Sequence, residues 1–223
     1  MQTEEKLSFR EKLTDFLQKK RKLFFIGIIT LVVALIGVVT GVIIHNALTN
    51  KAFVTLDAYT TRYEELRFDI TDPEKEADVN ALVNEITIFV KSHSGYVGAR
   101  AYSIIANIHT DRKSWADAES AWIASAQAAG AKSYFTPIAL YNAAVAAEEQ
   151  SNADRAIDLY TQSLSYSSSF PAAARAGFAL GRLNEARNNT DAAIQAYQNL
   201  VDNYSGESVW VNLAHNRLIA LGK

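Results

Sequence analysis

The chain has 223 residues, with 24 acidic and 22 basic side chains and a formal net charge of −2. It has no cysteine, which removes disulfides, thiol catalysis and zinc–cysteine sites together. Three prolines and many alanines favour helix, and the acidic balance argues against a nucleic-acid partner.

Residues 1–22 read as a basic, amphipathic tail with a net charge of +3. The 22 residues from Leu23 to Ile44 that follow carry no charge. At about 1.5 Å per residue a helix of that length covers roughly 33 Å, the thickness of a bilayer's hydrocarbon core. A signal-peptide core is shorter, about 7–15 residues. A buried soluble helix keeps a polar face, and this stretch has none. The expectation is an uncleaved transmembrane helix over residues 23–45. Cations cluster before it, which places the N-terminus in the cytoplasm and the remainder outside. In a bacterium that means a single pass through the inner membrane, with a periplasmic domain. The small residues Gly27, Thr30, Ala34, Gly37 and Gly41 recur at spacings of 3 and 4, on one helix face. They include Gly37-x-x-x-Gly41 and predict an association seam, for a second copy or a larger membrane complex.

Residues 46–72 read as a helical stalk with a break. Phe53, Leu56, Tyr63 and Leu66 form its apolar stripe, and Asp69 to Asp72 end it. Residues 73–223 read as a repeat domain. Its first helix starts at Pro73 and carries Val79, Leu82, Val83, Ile86 and Phe89 on one side.

Three stretches then repeat. A small residue (Ala106, Ala144, Gly181) is followed by an alanine (Ala118, Ala156, Ala193) and an aromatic (Trp122, Tyr160, Tyr197), in steps of 38 and then 37 residues. Apolar spacing of 3, 4 and 7 makes each piece helical, and a fixed period signals stacked helix pairs. Ser114 with Asp117 reads as a capping box, Thr136-Pro137 as an N-cap followed by a first-turn proline, and Asn152 and Thr190 as further N-caps. A C-terminal helix with Val209, Trp210, Leu213, Arg217 and Leu221 on one face is expected to cap the stack. The fold class is all-α: one transmembrane helix followed by a solenoid of helical hairpins.

The residue pairs Ile105-Ala106, Ala143-Ala144 and Leu180-Gly181, with the alanines and aromatics above and Trp115, resemble the tetratricopeptide repeat over about residues 95–205. The period exceeds that family's usual 34 or so, and its terminal proline is represented only by a displaced Pro171. The resemblance implies a groove lined by the first helix of each pair. Phasing from the small residues places Arg100, Ser103 and Asn107 there, then Tyr141, Asn142 and Glu148, then Arg175, Phe178 and Arg182. Asn107, Asn142 and Arg175 fall where carboxylate-clamp repeats hold a peptide terminus, with Ser103 in place of the clamp's lysine.

Catalytic chemistry is not evident. The histidines His45, His93, His109 and His215 show no metal-ligand spacing, and no nucleophile or phosphate-binding fingerprint occurs. Neither enzyme activity, nor a metal, nor a cofactor is expected. The layout is similar to the ancillary subunits of the Sec translocon, to the cell-envelope coordinator beside Tol–Pal, and to spirochaete flagellar collar proteins. That similarity implies a scaffold binding a periplasmic or envelope protein partner, possible self-association, and as an alternative a structural subunit of an envelope assembly such as a flagellar collar.

Overall fold

The computed structural model describes residues 18–166, 170–204 and 209–223, with residues 10, 14 and 16. Most of the expected basic tail, residues 1–22, lies outside the described residues. Among the described residues all regular structure is helical. The chain forms two compact units, Met1–Lys51 and Ala52–Lys223.

The first helix, α1 (Arg21–Leu66), runs from the first unit into the second. In the first unit every side chain from Leu23 to Ile44 is exposed. The helix is long and apolar enough to cross a membrane, its most apolar window having a mean hydropathy of 2.9 with none of it buried. A signal sequence meets the same criterion of length and composition.

In the second unit the end of α1 buries Ala52, Leu56 and Tyr63. Two single helical turns follow, Arg67–Asp69 and Pro73–Lys75. The Asp72 carboxylate accepts a hydrogen bond from the Glu74 amide at 2.9 Å, so Pro73 opens a capped turn rather than the α-helix itself. That helix, α2 (Glu76–Val90), buries Val79, Leu82, Ile86 and Val90, and keeps Val83 and Phe89 half-buried.

Three antiparallel pairs and a terminal helix complete the unit: α3 (Gly95–Asp111) with α4 (Trp115–Ala129), α5 (Phe135–Glu149) with α6 (Ala153–Tyr166), α7 (Ala173–Ala186) with α8 (Thr190–Asn203), then α9 (Val209–Ala220). Each helix packs on the next. The repeated residues explain how they come so close. Ala106, Ala144, Ala118, Ala156 and Ala193 are all fully buried, so adjacent backbones approach without a side chain between them. Trp122, Tyr160 and Tyr197, also buried, fill the gaps that remain. Large rings against small partners reach interior density without strained rotamers.

The turns inside the three pairs share one geometry. Lys113, Ser151 and Asn188 each take a left-handed conformation, with φ of 58°, 60° and 58°. The next amide (Ser114, Asn152, Asn189) donates to the carbonyl of His109, Ala147 and Asn184, at 2.8, 3.0 and 2.9 Å. This is a Schellman-type helix end, which satisfies otherwise orphaned carbonyls.

The helix starts differ in part from expectation. Asn152 does cap α6, accepting from the Arg155 amide at 3.2 Å. Ser114 occupies the N-cap of α4 but makes no side-chain bond there. Thr190 is the first helical residue of α8, and Asn189 stands at its cap. Helix α5 starts at Phe135, ahead of Thr136. The Thr136 hydroxyl instead donates to the Gly130 carbonyl at 2.7 Å, and Ser133 Oγ accepts from the Phe135 amide at 3.2 Å. The face of α9 is also rotated. It buries Val211, Ala214 and Leu218, leaves Val209 and Leu213 exposed, and keeps Trp210 and Leu221 half-buried.

The core falls into two clusters. One runs from Leu56 through α2–α6 to Leu183. The other joins Ala193, Tyr197 and Leu200 of α8 to Val211, Ala214 and Leu218 of α9.

Candidate interaction face of the repeats

A tyrosine, a carboxylate and an arginine meet at two successive junctions. Between the second and third pairs, Tyr160 of α6 faces Glu148 of α5, and Arg182 of α7 closes an ion pair with that glutamate. Between the third pair and α9, the Tyr197 hydroxyl donates to Glu185 at 3.1 Å, and Arg217 of α9 holds the same carboxylate, its Nε at 3.1 Å. Burial is the main cause that pushes both tyrosine hydroxyls up in pKa, so they remain neutral donors. The arginines are about half exposed, so each pair contributes only ~0–1 kcal/mol of stability, and its value lies in fixing register between helices.

At the first junction the equivalent positions are Thr110 for the carboxylate, Trp122 for the tyrosine and Val145 for the arginine. The space that the charged groups fill elsewhere is there a cleft of about 160 Å³. Thr110, Trp122 and Val145 line it together with Asn107, Trp115, Asn142 and Ala146. Both asparagines are half-buried, and among the described residues neither side-chain amide has a hydrogen-bond partner. An amide offers one acceptor and two donors, the complement of a peptide backbone.

A second feature involves α5, α7 and α9. The Arg175 guanidinium lies 6.0 Å from the Tyr141 ring centroid and 5.6 Å from that of Trp210. Phe178 supports the notch, its ring 5.6 Å from both Tyr197 and Trp210. Arg175 is exposed and, among the described residues, makes no ion pair. Two aromatic faces hold its position and leave its donors free for an anion. Burial raises the Tyr141 pKa and the nearby Arg175 charge partly offsets this.

The expected groove residues therefore separate. Asn107 and Asn142 share the cleft, while Tyr141, Arg175 and Phe178 build the notch. Glu148 and Arg182 bind each other. Ser103 does not line a groove: it is 3% exposed and its hydroxyl donates to the Arg100 carbonyl at 2.7 Å, a consequence of facing α3's packed side. Arg100 is half-buried on α3 and joins neither feature. Thr110, Trp115 and Trp122 of the cleft and Trp210 of the notch were not among the expected lining residues. The signal for the cleft was available, since the repeat alignment puts Thr110 and Val145 where the next pairs carry Glu148 and Arg182.

The fold of the second unit is a stack of helical hairpins. Residues 141–208 match the family model described as tetratricopeptide repeat. The chain is also 33% identical, over 127 residues, to a TPR repeat-containing protein of Treponema pallidum (strain Nichols). That match covers 57% of this chain and 52% of the relative, so the chain spans about half the length of the curated relative it matches. Residues 141–208 are thus similar to tetratricopeptide repeats.

Proposed function

We propose that the protein is a non-enzymatic adaptor, anchored in the bacterial inner membrane by residues 23–45, whose repeats bind a protein partner in the periplasm. The observation that carries this reading is Arg175, which has no carboxylate partner among the described residues and is held between Tyr141 and Trp210. Asn107 and Asn142 suit the backbone of an extended segment, and Arg175 suits a carboxylate on it. The cations ahead of Leu23 support a cytoplasmic tail, and a place beside the protein-export machinery fits that layout. The small face of the span (Gly27, Thr30, Ala34, Gly37, Gly41) serves in this reading as an association seam. A methyl added at Gly27, Gly37 or Gly41 would meet nothing within 4 Å.

The test is a peptide array carrying free and amidated C-termini, probed with detergent-solubilised full-length protein and its Arg175→Ala variant. Selection of free carboxylates that disappears in the variant supports the reading. Binding indifferent to Arg175 removes it. A structural subunit of an envelope assembly, such as a flagellar collar, is the second reading. The mutual pairing of Glu148 and Arg182 favours it, because it withdraws two groove charges from any ligand.

A further inference from the structure

We propose that a cavity formed by α6, α7 and α8 binds a small uncharged molecule with an aliphatic body and a carbonyl acceptor, which takes the hydrogen bond of the Tyr204 hydroxyl. The site is separate from the cleft and the notch. Three observations carry it.

The first is the cavity itself. Its volume is about 320 Å³. Small-molecule sites begin at about that size, with a range of roughly 300–1,000 Å³. Leu164 of α6, Leu180 of α7 and Leu200 of α8 supply apolar walls, together with Gly177 and Ala196. Helical phase puts Gly177 and Leu180 on the side of α7 away from Arg175 and Phe178.

The second is how the sequence leaves this space open. One step of 37 residues earlier, the positions of Gly177 and Ala196 hold Leu140 and Leu159, both buried. Leu180 and Leu200 in turn stand where the second pair has Ala143 and Ser163, so the bulk moves onto the lining of the cavity. Packing explains Gly181, where an added methyl would strike the Tyr197 ring. It does not explain Gly177. A methyl there would meet Leu200, at 3.6 Å for the nearest atom, which is ordinary contact. Glycine inside a helix costs stability relative to alanine, and at 177 what it preserves is room in the cavity.

The third is an orphaned donor. Tyr204 directly follows α8 and lines the same cavity. Its hydroxyl is buried and, among the described residues, has no hydrogen-bond partner. A buried polar group without a partner is costly, and an occupant with an acceptor removes the cost. The side chain packs against both core clusters, which holds the ring in place. Burial raises the pKa of the hydroxyl, so it is a neutral donor. Among the described residues no charged side chain lines the cavity, and its other polar side chains are the exposed amides of Asn199 and Asn203. An ion would enter without a counter-charge, whereas a neutral carbonyl meets a phenol and two amides.

The probe is hexanamide, titrated into the detergent-solubilised full-length chain and followed by saturation-transfer NMR, with hexanoate as its charged counterpart. Saturable binding of hexanamide is expected, with hexanoate at least about tenfold weaker. Ala196→Leu copies Leu159, fills the cavity and should abolish the signal. Tyr204→Phe removes only the oxygen and should weaken binding roughly 2–10-fold, the loss of one neutral hydrogen bond. Circular dichroism checks that both variants fold; if Ala196→Leu does not, Tyr204→Phe decides alone. Absence of saturable binding overturns the proposal, and so does hexanoate binding as tightly as hexanamide. Equal affinity in parent and Tyr204→Phe also overturns it, since the hydroxyl then serves no ligand. Saturation by N-acetyl-leucine amide but not by hexanamide would give the cavity to a side chain of a protein partner and sink the small-molecule assignment.

Discussion

Tyr197 lies directly over Gly181: a methyl added to the glycine would stand 2.6 Å from the ring's Cζ, with Cε1 and Cδ1 closer still. The third pair has glycine where the first two have alanine, and its ring takes the space a methyl would need. Gly181→Ala is therefore expected to destabilise by roughly 1–3 kcal/mol despite alanine's better helix propensity. Thermal unfolding followed by circular dichroism measures it. An unchanged or raised Tm would mean the ring has room to move aside.

Ser151 offers the opposite sign. Its φ of 60° suits glycine, and its side chain makes no hydrogen bond among the described residues. Ser151→Gly is expected to stabilise by about 0.5–1 kcal/mol through relief of the left-handed strain. Chemical denaturation of variant and parent side by side gives the answer, and a lower midpoint contradicts it.

Alkaline pH should weaken the second unit. Burial is the largest cause that raises the pKa of Tyr63, Tyr141, Tyr160 and Tyr197 above the usual value near 10. The folded state then holds protons that the unfolded chain has lost, so the stability difference is fully present below about pH 10 and declines as pH rises above it. Tyrosinate absorbance should rise later in the native protein than in urea, with unfolding coinciding with the late rise. Superimposable titrations would show that these hydroxyls are freely hydrated.

The cleft can be closed by copying its neighbours. Thr110→Glu with Val145→Arg places the second junction's ion pair at the first, on half-buried positions. Stability should move by no more than about 1 kcal/mol, since such pairs contribute little. Peptide binding measured by fluorescence anisotropy should fall at least about tenfold, a change of 1.4 kcal/mol. Retained affinity would place the peptide elsewhere.

The seam in the span is tested by Gly37→Ile with Gly41→Ile, which keeps the helix apolar while filling the small face. Crosslinking in membranes should then lose its homodimer or partner bands. Identical bands in parent and variant would leave the helix as a tether alone.

The repeats were legible in the sequence because a close helix crossing demands a small residue at one position and a large one at another. Both requirements are local and recur with the fold. The face of α9 was less legible. Val209, Leu213 and Leu221 look as suitable for burial as Val211 and Leu218, and only the position of α8 decides which set is covered. The Tyr–carboxylate–Arg junctions join residues more than thirty positions apart, as Arg182 and Glu148 do at 34. Such pairing depends on how the hairpins stack. The candidate cleft was half legible for the same reason: its asparagines followed from helix phase, whereas its walls followed from what two junctions have and the third lacks.

The division of the core into two clusters means that the stack need not come apart all at once. Helices α8 and α9 can let go while the cluster from Leu56 to Leu183 holds, exposing the face of α7. Arg175 and Phe178 lie on α7, and Trp210 belongs to the releasable end. The anion notch is thus assembled across the boundary between the two clusters, and a ligand that bridges it would act as a clasp. Amide exchange in Thr190–Asn203 and Val209–Ala220 would slow most on binding, although neither helix supplies the arginine.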